Sequence, residues 1–281
     1  MRFFALVLLS TTLLLGCKPE KLSMDYENKK IGLNVVGTDL KCKEVQIKID
    51  EKIENRMNLL FGQRLTFEFL DVQGFKKEGS KIFPLMSIAV KDAKGKEVIS
   101  SQDLVKEMKI LNKNVKLIAF IDANLPSEDG PYTATISIQD KKGKGEMVAT
   151  MPFSIQQDPK LKLEERGVSY SAIYLWNQED QQIINSHEVE SNRDYYIMIH
   201  DLEGISSPIL PMRIIDGKGT VLLRDDNLLG TIEKKSADDF KRVPIRFTLS
   251  GDINNPVKII TSVQDSESDH IIHITTLVNV K

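Results

Sequence analysis

Alternation at period two runs along most of this chain, and no other feature limits its fold so strongly. Val45, Ile47 and Ile49 form one apolar stripe, Leu65, Phe67 and Phe69 another, and Ile88 with Val90 a third. Ala134, Ile136 and Ile138 follow, then Val168, Tyr170, Ala172 and Tyr174. Tyr195, Ile197 and Ile199 come next, and Ile259, Thr261 and Val263 close the series. Successive side chains of a strand point to opposite faces, so each stripe reads as the buried face of a half-buried strand. Turn clusters separate the stripes: Asp92-Ala93-Lys94-Gly95, Asp129-Gly130-Pro131, Lys142-Gly143-Lys144-Gly145 and Asp216-Gly217-Lys218-Gly219. Many short strands with regular turns predict an all-β chain of antiparallel sandwiches. The stretches 53–61 and 104–111 have room for a helical turn, but neither sustains a 3.6-residue period.

The chain also repeats itself. The run from Leu65 to Phe75 matches that from Tyr195 to Ile205, with Asp71 and Gly74 meeting Asp201 and Gly204 at an offset of 130. Pro84, Asp92, Lys94, Gly95 and Leu104 match Pro208, Asp216, Lys218, Gly219 and Leu228 at 124. Ile136 to Asp140 matches Thr261 to Asp265 at 125. Preserved strand order with small length changes in loops is the mark of a duplicated unit. The reading is therefore two tandem β-sandwich domains, residues 32–157 and 161–281, joined near Gln156-Gln157-Asp158-Pro159-Lys160. The run Pro131-Tyr132-Thr133-Ala134-Thr135-Ile136-Ser137-Ile138-Gln139-Asp140, with Gly143 beyond it, resembles the penultimate strand and turn of bacterial immunoglobulin-like domains. That resemblance implies an immunoglobulin-like fold and no activity.

The first residues carry a different signal. Arg2 precedes an apolar run from Phe3 to Leu15, too short to span a bilayer, which needs roughly 20 residues, and suited to a signal peptide. It closes in Leu14-Leu15-Gly16-Cys17, which resembles the lipobox of bacterial lipoproteins. The resemblance implies removal of residues 1–16, a diacylglyceryl group on Cys17 (a palmitate-labelled lipid anchor), and N-acylation of the new terminus. An ordinary secretory signal would instead leave Cys17 free to pair with Cys42. Several acyl chains anchor a protein stably without crossing the bilayer. Residues 17–31 then read as a polar tether. Lys18-Pro19-Glu20-Lys21 lacks the Asp that resembles an inner-membrane retention signal, so the expected address is the outer membrane of a Gram-negative bacterium, facing the periplasm.

Function is less legible. Lys and Arg total 38 against 40 Asp and Glu, so there is no basic field for nucleic acid. The charge is uneven, with 24 basic and 21 acidic side chains in residues 18–160 and 13 and 19 beyond. The recurring aspartates 71, 92, 140, 201, 216 and 265 are candidate calcium ligands, but Asp beside Gly is also ordinary turn chemistry. The four histidines, 187, 200, 270 and 273, form no metal or nucleophile motif. Tyr170, Ala172, Tyr174 and Trp176 share one parity and read as the core face of an early strand in the second domain. Cys42 reads as a small half-buried apolar residue. The expectation is a non-enzymatic, membrane-anchored protein with no cofactor beyond the lipid on Cys17. It acts as a structural, assembly or adhesion module on a protein partner in the envelope. The alternative is a ligand- or glycan-binding lipoprotein, with calcium as an assisting ion.

Overall fold

The computed structural model describes residues 22–102, 104–105, 108–109, 115–229 and 242–281. The leader, Cys17 and the first part of the tether lie outside them, as do residues 106, 107, 110 and 111. No helix occurs among the described residues, and the chain is all-β.

In the first half, β1 (Ser23–Asn28), β2 (Leu33–Thr38), β3 (Glu44–Ile49) and β4 (Lys52–Ile53) lead to β5 (Asn58–Leu60) and β6 (Arg64–Leu70). After β7 (Lys81–Ile82) come β8 (Pro84–Lys91), β9 (Glu97–Ser101) and β10 (Met108–Lys109). β11 (Leu117–Asp122), β12 (Tyr132–Asp140) and β13 (Glu146–Gln156) complete it. One sheet runs β11-β6-β3-β4 and the other β1-β2-β13-β12-β8-β9, with β5 parallel to β13. This is the Greek-key arrangement of immunoglobulin-like sandwiches. Buried Tyr132, at the start of the penultimate strand, donates its hydroxyl to the Pro126 carbonyl 2.5 Å away, the corner tyrosine of that fold.

The second half repeats the plan. It holds β14 (Lys162–Arg166), β15 (Ala172–Asn177), β16 (Gln182–Ile183), β17 (Glu188–Val189), β18 (Asp194–His200) and β19 (Pro208–Ile209). β20 (Met212–Ile215), β21 (Val221–Asp225), β22 (Arg242–Thr248), β23 (Val257–Asp265) and β24 (Ile271–Val280) follow. Its sheets run β22-β18-β15-β16 and β14-β24-β23-β20-β21, and β17 lies parallel to β24 just as β5 lies parallel to β13. Among the described residues no strand pairing links one half to the other. Each half has its own core. The first centres on Phe67, Phe69, Tyr132 and Phe153, the second on Tyr195, Ile197, Phe247 and Ile259.

The repeat is clearest at its turns. Asp71 and Asp201 both take a left-handed backbone, φ 54° and 50°, at the end of equivalent strands. Gly74 and Gly204 follow at φ 104° and 92°, where a Cβ would lie 2.1 Å from the Asp39 carbonyl oxygen or 2.3 Å from that of Gly167. Only glycine permits both the angle and the approach.

Two expectations need correction. Part of the presumed tether is structured: β1 pairs along its whole length with β2, Ser23 opposite Thr38 and Asn28 opposite Leu33. An edge strand is held by backbone hydrogen bonds, so it needs no apolar alternation; Met24 alone packs inward, its sulfur 3.6 Å from the Cys42 thiol. The stripe at Ala172, Tyr174 and Trp176 is not the sandwich core either. Ile173 and Leu175 point into the core, and the even-numbered side chains form a separate cluster on the outer face. β15 is apolar at both parities, so alternation alone cannot choose its inner face.

Candidate functional site

The outer face of β15 meets the first sandwich at the junction. Phe61, in the turn between β5 and β6, stacks on Tyr174 with ring centroids 5.1 Å apart and planes 16° from parallel. Beside it Gly62, at φ +83°, lies so close to Ile183 that a Cβ there would fall 2.2 Å from its Cδ1 atom. The linker is pinned as well. Gln157 donates its amide to the Ile173 carbonyl at 2.7 Å, and Lys160 reaches the Ser186 carbonyl at 2.9 Å. Buried Asp158 and His187 meet at 2.7 Å, and the other ring nitrogen of His187 lies 2.9 Å from the Thr276 hydroxyl. Burial raises the Asp158 carboxyl, but the His187 contact and the Lys160 backbone N–H outweigh it and hold the group below its ordinary range.

Between the two sandwiches these contacts leave an open groove of about 930 Å³. Its first wall carries Asp50, Glu51, Arg64, Asp122 and Asn124 at the ends of β3, β6 and β11. The second carries Trp176, Gln182, Asn185, His200 and Arg242. Arg64 and Asp122 form a two-pronged ion pair at 2.7 and 3.2 Å, and the Arg64 guanidinium also covers Phe120. Tyr174 lies 2.7 Å from His200 Nε2 and stacks on the imidazole. Burial holds the Tyr174 hydroxyl above its ordinary range against the opposing pull of Arg242. Burial first, and then the Arg242 charge, hold His200 below its own. A neutral imidazole can accept the Tyr174 proton while the hydroxyl oxygen accepts from Arg242, so all three groups are satisfied. The arrangement can bind and orient a ligand.

The aspartates singled out in the sequence are dispersed, and four of the six carboxylates, those of Asp92, Asp140, Asp216 and Asp265, hold a turn through backbone N–H groups. Asp92 accepts from the backbone N–H of Lys94 and Lys96, and its repeat mate Asp216 from Lys218 and Thr220. Asp140 accepts from Lys76 and Lys142. Asp265 accepts from the backbone N–H of Ser207 and Glu267 and from the Ser206 and Ser268 hydroxyls, and together these bonds overcome burial and lower its carboxyl to about 2. Asp71 bonds the Gln73 amide and Asp201 the Ser171 hydroxyl. Among the described residues no three His, Cys, Asp or Glu side chains are grouped to hold a metal. His270 bonds the Gly204 carbonyl and His273 faces Glu164 across the β14–β24 pairing, so neither enters the groove. Cys42 is buried, and burial pushes its thiol up to about 11. Cys17 lies outside the described residues.

Sequence reasoning missed Phe61, Gly62, Ile183 and Arg242. Gly62 was the one available signal, because a glycine serves where the backbone turns left-handed or a neighbour approaches closely. Its partner across the junction left no trace in the order of residues.

No family model matches the chain, and no curated protein does. Among solved structures, it is similar to the C-terminal domain of Wzt at 10% identity and a TM-score of 0.33, over 50% of this chain and 80% of that one. A DUF4785 family protein from Legionella pneumophila gives 10% and 0.25 over 88% of this chain and 56% of its own. The ICAM-5 D1–D4 ectodomain fragment gives 11% and 0.23 over 88% and 60%. Likenesses this distant carry no functional meaning, and the sandwich assignment stands on the strand topology itself.

Proposed function

We propose that this chain is a non-enzymatic lipoprotein, anchored through Cys17 in the outer membrane with its sandwiches in the periplasm. In this reading it serves as a structural, assembly or adhesion module that engages an envelope protein. The observation that carries the reading is an edge of the second sandwich on which, among the described residues, no further strand pairs. β21 ends its sheet, and Val221, Leu222 and Leu223 are 43%, 40% and 36% exposed on it. The ladder skips Leu222 in a bulge opposite Ile214 and Ile215, and the apolar side chains that stay exposed there are what the edge offers to an extended partner segment. The acidic balance of the second half favours a basic partner through encounter rate. A photo-crosslinker at Leu222 in living cells should capture one envelope protein, and Leu222→Lys should abolish capture. Radiolabelled palmitate should enter the wild-type chain and be absent from Cys17→Ser. Label that persists in that variant removes the anchor from the proposal.

A second reading has its own support. The groove between the sandwiches, with Trp176 half-buried in its wall, has the form of a ligand site: concave, partly aromatic, with convergent polar groups. In that reading the module holds a small ligand or a glycan.

A further inference from the structure

We infer that the groove between the two sandwiches binds a short neutral saccharide, with Trp176 as its stacking platform; the inference rests on the second, ligand-binding reading above.

The repeat supplies the first argument. In register, Val45, Ile47, Phe67 and Phe69 of the first sandwich correspond to Ile173, Leu175, Ile197 and Ile199 of the second, all core residues. The intervening outward positions have changed character. Gln46, Lys48, Thr66 and Glu68 are polar, with Lys48 and Glu68 paired at 2.8 Å. Their counterparts are Tyr174, Trp176, Tyr196 and Met198. Packing of the two sandwiches accounts for Tyr174 and Met198, which are buried against Phe61. It does not account for Trp176 and Tyr196, which stand opposite each other across β15 and β18 and stay partly exposed. A half-wet indole on a fixed strand is a ready aromatic surface.

The rim decides the ligand class. Asp50, Glu51 and Asp122 against Arg64 and Arg242 leave no positive excess to draw an anion. Arg64 and Asp122 satisfy each other, and Asp50 is occupied by the Gln63 amide and the Arg64 N–H. The neutral groups that reach the groove are largely the amides of Asn124, Gln182 and Asn185. Each amide donates and accepts, as a sugar hydroxyl does. The C–H face of a pyranose suits the indole, and its hydroxyl edge suits the amides. The walls are also held at a set distance by the Gly62–Ile183 contact and the pinned linker, so little order is lost on binding.

Trp176 is the one tryptophan of the chain, so its fluorescence reports on this groove alone. The full-length chain in detergent should be titrated with neutral hexasaccharides of glucose, mannose, xylose and N-acetylglucosamine, and separately with hexagalacturonate and a proline-rich peptide. At least one neutral sugar should shift the emission saturably. By calorimetry, Trp176→Ala should weaken that sugar about tenfold or more. Gln182→Ala with Asn185→Ala, which keeps the fluorophore, should weaken it with an unchanged melting temperature. A shift with hexagalacturonate or peptide and none with neutral sugars overturns the saccharide assignment and leaves the groove a ligand site. No shift with any probe overturns the ligand-binding reading as well.

Discussion

Replacing Gly62 by alanine tests the junction most directly. Two costs are built into that position. The backbone stands at φ +83°, which alanine adopts at a cost of about 1 kcal/mol. The new methyl would also lie 2.2 Å from Ile183 Cδ1 and 3.0 Å from its Cβ, so Ile183 has to move or the sandwiches have to part. Overpacking of this kind costs about 1–3 kcal/mol. Gly62→Ala should therefore destabilise the chain by about 2–4 kcal/mol, unless the sandwiches separate first, in which case the loss stops at the energy of their contact. In an Ile183→Ala background the 2.2 Å overlap with Cδ1 is gone, the 3.0 Å approach to the Cβ at position 183 remains, and the cost falls toward the backbone strain of about 1 kcal/mol. The double-mutant cycle should then give a coupling of about 1–3 kcal/mol. Urea unfolding followed by Trp176 emission reads the junction, and far-ultraviolet circular dichroism reads the strands. If Gly62→Ala costs the same in both backgrounds, the close approach between Gly62 and Ile183 is wrong, and the rigid coupling of the two halves falls with it.

The Asp158–His187 contact gives a second test: His187→Ala leaves a buried carboxylate without its partner and should cost about 3–5 kcal/mol, read by the denaturation midpoint. The sign with pH follows from the depressed Asp158 carboxyl. Its contribution is complete above the unfolded-state value and is lost as pH falls through the lower folded-state value, so Asp158→Asn should flatten the acid side of the stability curve. A variant that loses stability in acid as steeply as wild type contradicts this. Cys42, buried and with its thiol pushed up to about 11, should react with a thiol-specific reagent at neutral pH only as fast as the fold opens. Rapid labelling under native conditions would show that the thiol is accessible. Since the six aspartates are dispersed and Asp92, Asp140, Asp216 and Asp265 already accept backbone N–H groups, millimolar calcium and chelator should both leave the melting temperature unchanged; a calcium-dependent rise of several degrees would restore the metal reading.

The order of residues was enough to determine the strands, their buried faces and the duplicated plan, because these are local or periodic properties. Val45, Ile47 and Ile49 must share a face whatever lies opposite them. Asp71 with Gly74 and Asp201 with Gly204 announce the same turn, because few residues tolerate those backbone angles. What stayed hidden depends on a neighbour. β1 is a strand because β2 lies beside it, and nothing in its own side chains requires that. β15 is apolar on both faces, and only the first sandwich, arriving with Phe61, decides that Tyr174 and Trp176 lie outside the core. His187 and Asp158 are 29 residues apart and meet only after the linker folds back on the second sandwich. The groove exists for the same reason. Its walls come from two units whose relative placement is set by one glycine, one stacked ring pair and one buried Asp–His contact, and periodicity within either unit carries no information about them.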